Sequence, residues 1–322
     1  MNNLEGQRGL ALVQVMLILA LLTVVSANIQ FAQRHDIDKT AALQRQSLAR
    51  EYGISGEEIF RQVLMFDLSQ NKKDHLQDIW VNPVDSIPLT KGREGQVEEA
   101  YMSFIAQDLD RKFNLNWLTR QDGLTYVPLL ENLLASLDID SPSETATALH
   151  AWFTKNSSAD YEYPNLEPPY RPSNLPMGNI SELKLIRGIS PEAFDKLAPY
   201  VAAIDSDSKI NINTASEKVL SAITKLSGLP RQIIDEREDR EGFDNIGELD
   251  AWLVGKGHKS QNAFEINRDN LSAQSSYFEA LFEVNVAGKY IYLTSLLYRD
   301  NKKETIQLLA RDFSLKELYL EE

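Results

Sequence analysis

The sequence predicts an α+β protein with an N-terminal transmembrane helix, an antiparallel sheet and a large inserted α-helical domain. Three observations support this fold class. Residues 10–32 contain no charged side chain. Short runs of alternating apolar and polar residues occur between about 76 and 118 and again after 274, a spacing typical of strands. Helical spacing of apolar residues dominates between these two regions.

The N-terminal apolar segment is long enough to cross a bilayer. Its first eighteen residues, 10–27, are apolar apart from Gln14, Thr23 and Ser26. At ~1.5 Å per residue a helix of this length covers roughly the ~30 Å hydrocarbon core. The apolar run continues directly into a polar helical pattern, with no small-residue cleavage site of the secretory type. We therefore expect the helix to be retained in the mature protein.

The polar leader 1–9 ends in Arg8 and Gly9, directly before the apolar run. This arrangement resembles the leader of type IV pilins and type II secretion pseudopilins. The resemblance implies that a prepilin peptidase cleaves between Gly9 and Leu10 on the cytoplasmic face and methylates Leu10, leaving residues 10–33 as the transmembrane and assembly helix. An ordinary signal anchor is the alternative, for which Arg8 alone is weak evidence of orientation.

The fifth residue after the proposed cleavage, Gln14, departs from the usual pilin pattern. Most pilin-like subunits have glutamate there, because a free α-amine in an apolar filament core is costly unless an opposite charge meets it. Glutamine accepts a hydrogen bond but does not neutralise an amine. This position predicts a subunit suited to a filament end rather than to repetition along it.

Composition limits the classes of partner and site. About 290 residues follow the span, enough for two ordinary domains, and 43% of all residues are hydrophobic. The formal net charge of −14 disfavours general attraction to nucleic acid or to an anionic membrane. With no cysteine, the chain forms no disulfide and no thiolate metal site.

Residues 34–118 predict a long polar helix followed by the first strands. The helix runs from about 28 to 68, with a possible break near the glycines of residues 53–56. Its second half has a rough apolar stripe that we expect to lie against the sheet. The stripe consists of Ile54, Ile59, Val63, Leu64 and Phe66. Two or three strands are expected between 76 and 118.

The inserted helical domain is predicted at 119–273. Ser141 and Pro142 indicate a helix start. Glycine turns at Gly188 and Gly228, forty residues apart, each precede a proline-containing helix start and resemble tandem helix-hairpin-helix motifs. Between these turns, Asn213 or Thr214 is expected to cap the following helix.

Such hairpins suggest a rival function in DNA binding, but the charge of the region opposes it. Residues 209–250 contain six basic and nine acidic side chains, a net charge of −3. Pro230 in the second turn also removes one backbone donor that a phosphate would need. Because affinity for DNA rests largely on neutralising phosphates, we expect protein contact and no nucleic-acid partner.

A proline-rich block makes the resemblance more specific. The chain is similar to the protein K family of type II secretion systems at 8–33, 112–116, 168–176 and 209–216. The matching residues of the inserted region are Trp152, Asp160, Tyr163, Pro168, Pro169, Tyr170, Arg171, Pro172, Asn174 and Pro176. The resemblance implies a pilin-like sheet that the strands of 274–322 complete.

The same resemblance implies where the chain works and with which partners. It implies a minor pseudopilin that caps or initiates the pseudopilus for protein export. Its partners would be the minor pseudopilins I and J, prepilin peptidase, the inner-membrane assembly platform and either the secretin or an exported substrate. The chain would be a single-pass protein of the inner membrane of a Gram-negative bacterium, with its C-terminal domain in the periplasm.

Calcium is the one cofactor that the resemblance suggests. Family members bind calcium in the insertion, but this chain has Thr154 where a family aspartate stands. The remaining weak ligand candidates are Asn156, Asp160 and Glu162. Calcium prefers six to eight oxygen ligands, several of them charged. A site with one or two carboxylates would be weak, and a metal-free loop stiffened by proline and tyrosine packing is the alternative.

The sequence leaves two further functions open. A type IV minor pilin in DNA uptake would share the leader and the hairpins, whereas a signal-anchored periplasmic enzyme would need a cleft of titratable groups. The histidines are far apart in sequence, at His35, His75, His150 and His258, and form no zinc-protease motif. We therefore expect a protein that is not an enzyme.

Overall fold

The structure is a computed structural model. It describes residues 5–70, 72–90, 99–259, 262–314 and 317–321, with side chains from residue 12 onward. The helices are α1 (Glu5–Gln70), α2 (Val127–Ser136), α3 (Pro142–Phe153), α4 (Ala159–Glu162), α5 (Pro191–Leu197), α6 (Glu217–Ile223), α7 (Leu229–Asp239) and α8 (Ile246–Gly255). The strands are β1 (Val84–Thr90), β2 (Ala100–Asp108), β3 (Phe113–Asn114), β4 (Val201–Ala202), β5 (Ile210–Asn211), β6 (Leu271–Ser272), β7 (Tyr277–Val286), β8 (Lys289–Asp300) and β9 (Thr305–Asp312).

The main sheet has five strands in the order β1-β2-β7-β8-β9, and each neighbouring pair is antiparallel. Consecutive antiparallel strands at the C-terminus were predicted and are confirmed. The predicted turn at residues 301–303 also lies between the last two strands. The sheet is therefore built from two strands before the helical region and three strands after it.

The helical region is inserted between two paired strands. Strand β2 ends where β7 begins, with Asp108 opposite Phe278. The chain therefore leaves the sheet at the end of β2 and re-enters it beside that point, at the start of β7. The backbone N–H of Leu109 donates to Tyr277 O there, over 2.8 Å. The region has its own core, which includes Trp117, Leu133 and Ile223. The predicted fold class is thereby confirmed, while the bounds 119–273 stay a prediction.

Helix α1 packs on one face of the sheet through a different stripe from the predicted one. It is unbroken through Gly53 and Gly56. The buried side of its second half includes Ala49, Phe60 and Leu64, whereas Ile59 and two other members of the predicted stripe, Ile54 and Phe66, are exposed. The expected break was wrong. Most of the expected stripe was also wrong, because the contact face includes Ala49, Gly53 and Gly56, which have too little apolar surface to mark it in a hydrophobic pattern.

The two glycine turns exist, but the named motif is not confirmed. Gly188 and Gly228 have φ angles of +94° and +79°, which glycine adopts without strain. Both precede helices α5 and α7, yet the segment before Gly188 is the 3₁₀ helix Ile180–Leu185. Tandem helix-hairpin-helix motifs therefore remain a resemblance in sequence.

The predicted helix caps need correction as well. The side chain of Ser216 caps α6 by accepting from the N–H of Val219, so neither Asn213 nor Thr214 does so. Their side chains are buried elsewhere, and Asn213 accepts from the N–H of Phe243 over 2.8 Å. Ser141 precedes α3 as predicted, but its side chain makes no capping hydrogen bond.

Candidate functional site

The N-terminal part of α1 is an exposed apolar helix. An 18-residue window of it has a mean hydropathy of 2.3, and none of that window is buried. It is the candidate membrane span within the described part of the chain. Gln14 is exposed on this helix. Gly9 and Leu10 lie within the helical backbone, but their side chains are outside the described residues, and the cleavage between them stays a prediction.

The second half of α1 presents an apolar stripe on the side away from the sheet. Leu48, Ile59 and Phe66 are 37%, 49% and 56% exposed. They are separated by eleven and seven residues, close to three and two helical turns, so they lie in one row. We call this solvent-facing row the outer stripe.

An ion pair fixes the same half of α1 to the last two strands. Both carboxylate oxygens of Glu57 accept hydrogen bonds of 2.8 Å from Arg311, and Ser295 Oγ donates to Oε2 over 2.7 Å. Burial raises the pKa of Glu57, but the hydrogen bonds from Arg311 and Ser295 outweigh it and hold the pKa below its usual value. The helix is therefore held on the sheet with one buried charge matched.

A second buried cluster lies where α1 ends. Arg299, on the inner face of β8, is fully buried and donates through Nη2 to both carboxylate oxygens of Asp74. Its Nη1 lies 3.6 Å from Asp67 Oδ2, an oxygen without a hydrogen-bond partner among the described residues. Burial, with the nearby charges of Asp78 and Asp74, raises the pKa of Asp67 to about 7.

This cluster continues into the inserted region through hydrogen bonds. Asn211 Nδ2 donates to the backbone oxygen of Asp74 and to Ser275 Oγ, over 3.0 and 2.7 Å. Ser275 Oγ and Thr214 Oγ1 both donate to Asp108 Oδ2. Burial raises the pKa of Asp108 to about 6, although these two hydrogen bonds oppose the rise.

We call these connected side chains the junction network. Its members come from the end of α1 and the segment after it, strands β2 and β8, the segment before β7 and the inserted region. They are Asp67, Asp74, Asp108, Asn211, Thr214, Ser275 and Arg299. A buried network in which most polar atoms are matched fixes geometry, because each alternative arrangement leaves a polar group unpaired. The network therefore sets the position of the inserted region on the sheet.

Two buried asparagines, Asn114 and Asn116, form a second set of hydrogen bonds within the helical region. Asn114 Nδ2 donates to Asp205 O and Ser208 Oγ, over 2.7 and 2.8 Å. Asn116 Nδ2 donates to Ile204 O, and Asn116 Oδ1 accepts from the N–H of Met177 over 2.7 Å. Residues 112–116 were singled out in the sequence by resemblance, and the structure shows a physical role for their polar members.

The calcium candidates lie in and around α4, where hydrogen bonds already use carboxylate oxygens of Asp160 and Glu162. Asp160 Oδ2 accepts from the N–H of Asn156 over 2.6 Å, and Asp160 Oδ1 accepts from Asn174 Nδ2 over 2.9 Å. Glu162 Oε2 accepts from Arg187 over 3.2 Å at the surface. The donor set fits calcium poorly, because both oxygens of Asp160 already have partners. Calcium binding stays a weak prediction.

Within the described ranges, three carboxylates lie close enough together to hold a metal ion: Asp67, Asp74 and Asp78. The guanidinium of Arg299 contacts the first two of them. Asp78 accepts instead from the N–H of His75 and lies 3.2 Å from His75 Nε2. Arg299 thus already supplies a positive charge to these carboxylates, which form an ion-pair cluster.

The junction network has no local signature in the sequence. Arg299 and Asp74 lie about 225 residues apart along the chain, and neither belongs to a motif. The available indication was alternation in β8, where Leu293, Ser295, Leu297 and Arg299 share the inner face. A charged residue in such a row indicates a buried partner but does not identify it.

These features define a class of protein: a subunit with one exposed apolar N-terminal helix, an antiparallel sheet against the second half of that helix, and a helical insertion between two paired strands. Comparison with known proteins identifies the family. Residues 111–206 and 210–267 match two family models described as type II secretion system (T2SS), protein K.

Individual relatives have the same family name. The type II secretion system protein K of Pseudomonas aeruginosa is 30% identical over 96% of this chain and 93% of its own length. The protein of the same name from Aeromonas hydrophila is 25% identical over 96% and 98%. The chain belongs to the protein K family of type II secretion systems.

A solved structure shows the same fold. A chain of the GspK-GspI-GspJ complex from the enterotoxigenic Escherichia coli type 2 secretion system matches with a TM-score of 0.69. The match covers 86% of this chain and all of the other, at 22% identity. The comparisons give the DNA-uptake alternative no support.

Proposed function

We propose that this chain is the minor pseudopilin that caps or initiates the pseudopilus, as part of a tip complex with the minor pseudopilins I and J. One observation carries the proposal: a single unbroken helix joins the exposed apolar segment to the folded part of the chain. The Glu57–Arg311 pair fixes that helix on the sheet. Movement of the membrane helix is therefore transmitted to the sheet and the insertion.

The outer stripe is the surface that we assign to the partner helices. Leu48, Ile59 and Phe66 form one exposed apolar row, and apolar rows of this kind bury against another helix. The complex that contains the structural relative has subunits named GspI and GspJ. By analogy, the helices of pseudopilins I and J would cover the stripe.

Processing and location complete the proposal. Prepilin peptidase would cleave between Gly9 and Leu10 and methylate Leu10, with the assembly platform in the inner membrane then extracting the subunit. The folded part would lie in the periplasm, where it contacts the secretin or an exported substrate. The role is structural and not enzymatic, since the named relatives are components of a secretion system.

The experiment is co-purification of the full chain with pseudopilins I and J of the same organism in detergent. We expect a 1:1:1 complex by size exclusion with light scattering. Phe66→Lys and Ile59→Lys should weaken the complex, whereas Leu124→Lys, at an exposed residue of the insertion, should not. Separate elution of the three wild-type proteins, or equal loss with Leu124→Lys, would overturn the proposal.

A further inference from the structure

A short segment near the end of the chain lies in a groove between the sheet and the inserted region. Residues 317–321, which we call the docked segment, are neither helix nor strand. Their hydrogen bond from the N–H of Leu320 to Leu318 O is internal to the segment. Leu318 is 8% exposed, whereas Leu320 is 43% exposed. The segment is held by individual contacts rather than by strand pairing, as a bound peptide is.

The inserted region provides a separate contact for each buried part of the docked segment. The ring of Tyr319 meets the ring of Phe194 edge to face, with centroids 5.5 Å apart. Lys112 Nζ donates to Tyr319 O over 2.6 Å. Arg111 Nη2 donates to Glu321 Oε2 over 2.8 Å. We call the site formed by Arg111, Lys112 and Phe194 the docking groove.

One end of the docking groove is positively charged, although the chain as a whole carries a formal charge of −14. Lys112 and Arg237 lie near the carboxyl group of Glu321, in addition to Arg111. Glu279, an acidic neighbour of Lys112, offsets part of this charge. Because cations outnumber carboxylates around Glu321, this end of the groove favours an acidic side chain and opposes a basic one.

The hold on the docked segment is weak enough for exchange. Burial raises the pKa of Glu321, although Arg111 and Lys112 oppose the rise, so the ion pair does not fully offset the loss of water. Two apolar anchors and one ion pair must also offset the entropy of ordering the segment. We expect such a segment to open locally while the rest of the chain stays folded.

We propose that the docking groove is a peptide-binding site, which the docked segment fills in the free subunit and a partner protein fills by exchange. The partner segment would have an aliphatic residue, an aromatic residue, any residue and then an acidic residue, which is the pattern of residues 318–321. The third position is unrestricted because the side chain of Leu320 is exposed. The site lies apart from the outer stripe and is testable without pseudopilins I and J.

Tethering predicts how strongly the docked segment competes with a free peptide. A segment joined to its own site by a short linker has an effective concentration of about 1 mM. If the segment and a free peptide share a dissociation constant of ~0.1 mM, the segment fills the groove about nine-tenths of the time. The free peptide then binds the full chain roughly tenfold more weakly than a chain without the segment.

The test compares the full chain with a variant that ends at Ser314, both in the same detergent. The probe is a fluorescein-labelled peptide with the sequence of residues 314–322, and fluorescence anisotropy measures its binding. We expect saturable binding to the shortened chain and roughly tenfold weaker binding to the full chain. A peptide of the same composition in scrambled order is the control. Thermal unfolding shows whether the shortened chain is folded.

Two further peptides test the recognition pattern on the shortened chain. One replaces residues 318–321 by isoleucine, phenylalanine, isoleucine and aspartate, and should bind within about tenfold of the original. The other carries Glu321→Lys and should bind more than tenfold more weakly, because its lysine would meet Arg111.

Two full-length variants test the site without a deletion. Tyr319→Ser removes the contact with Phe194 and should raise the affinity for the free peptide toward that of the shortened chain, by up to roughly tenfold. Leu320→Ala changes an exposed residue of the same segment and is the matched control, which should leave the affinity unchanged.

Three results would overturn the proposal. The first is no saturable binding to the folded shortened chain, and if that chain does not fold, an unchanged affinity in Tyr319→Ser has the same meaning. The second is equal affinity of the full and shortened chains, which would place the peptide elsewhere. The third is binding of the chain's own sequence but not of the peptide that keeps its pattern, which would make the contact a part of the fold alone.

Discussion

Gly56 lies so close to Met102 that a Cβ atom on residue 56 would stand 2.5 Å from Met102 Sδ. The same atom would stand 3.0 Å from Phe282 Cδ1. Gly56 is in the second half of α1, and Met102 and Phe282 are buried in β2 and β7. Helix α1 therefore approaches the sheet through a residue with no side chain, and this contact sets the spacing between the helix and the sheet.

Gly56→Ala should destabilise the chain. Alanine favours a helix interior by up to ~1 kcal/mol over glycine, but forcing atoms into a packed core typically costs ~1–3 kcal/mol. Met102 is enclosed and has little room to move, so we expect a net loss of about 1 kcal/mol in denaturant unfolding. Gly53→Ala is the matched control, since its Cβ would lie an ordinary 3.4 Å from Leu293 Cδ2. Equal stability of both variants would contradict this interpretation.

Arg299→Met should be one of the most damaging single substitutions in the sheet. It leaves the carboxyl groups of Asp74 and Asp67 buried without their cation. Breaking a buried pair from one side costs about 3–5 kcal/mol, and chemical denaturation measures it. Arg231→Met is the control, because Arg231 and its partner Asp235 are both more than half exposed and surface pairs contribute ~0–1 kcal/mol. Similar losses would count against the junction network.

Stability should fall as the pH rises from about 4 to about 7. The pKa of Asp67 is raised to about 7 and that of Asp108 to about 6, from ordinary values of 3.8. In this window the folded chain binds more protons than the unfolded chain, so each pH unit reduces the free energy of unfolding. Thermal unfolding at pH 4.5 to 8 measures the slope. Asp67→Asn should flatten its upper part, and a stability that rises through the window would refute the sign.

The sequence predicted the order of elements because each element has a local period. The apolar run, the alternating strands and the turn at residues 301–303 are all patterns of near neighbours. The packing face of α1 was predicted only in part: Leu64 is buried as expected, but Ile54 and Ile59 were preferred to Gly53 and Gly56 because they have more apolar surface. Close approach of a helix to a sheet depends on how small the facing residues are, which hydrophobic periodicity does not report.

The polar contacts between the sheet and the insertion were beyond sequence reasoning for a different reason. Asn213 and Thr214 follow the pattern of helix caps, but burial gives them other partners, Phe243 and Asp108. Their partners come from distant parts of the chain and meet only once the insertion returns to the sheet. A local pattern identifies the type of hydrogen bond that a residue can make, and the topology decides which partner it receives.

Calcium should stabilise this chain only slightly. Asp160 uses both carboxylate oxygens in internal hydrogen bonds, so a metal must displace them. If the dissociation constant is about 1 mM or weaker, 1 mM calcium adds at most ~0.4 kcal/mol. Thermal unfolding in calcium and in chelator measures the difference. A large calcium shift that Asp160→Asn abolishes would show that the loop rearranges around a bound ion.

Gln14→Glu should let the subunit enter the body of the filament more often. A glutamate at position 14 offers a charge to the α-amine of a neighbouring subunit, which glutamine does not, and charge-assisted hydrogen bonds contribute about 1.5–3 kcal/mol. That corresponds to roughly a tenfold gain or more in local affinity, opposed by the bulk of the insertion. Mass spectrometry of sheared pseudopili gives the ratio of this chain to the major pseudopilin. Gln30→Glu, on the same exposed helix, adds an equal charge sixteen residues away. If the ratio rises with Gln14→Glu but not with Gln30→Glu, position 14 controls the placement of the subunit at the filament end. If the ratio is the same in both variants, the bulky insertion is the feature that confines the subunit to the tip.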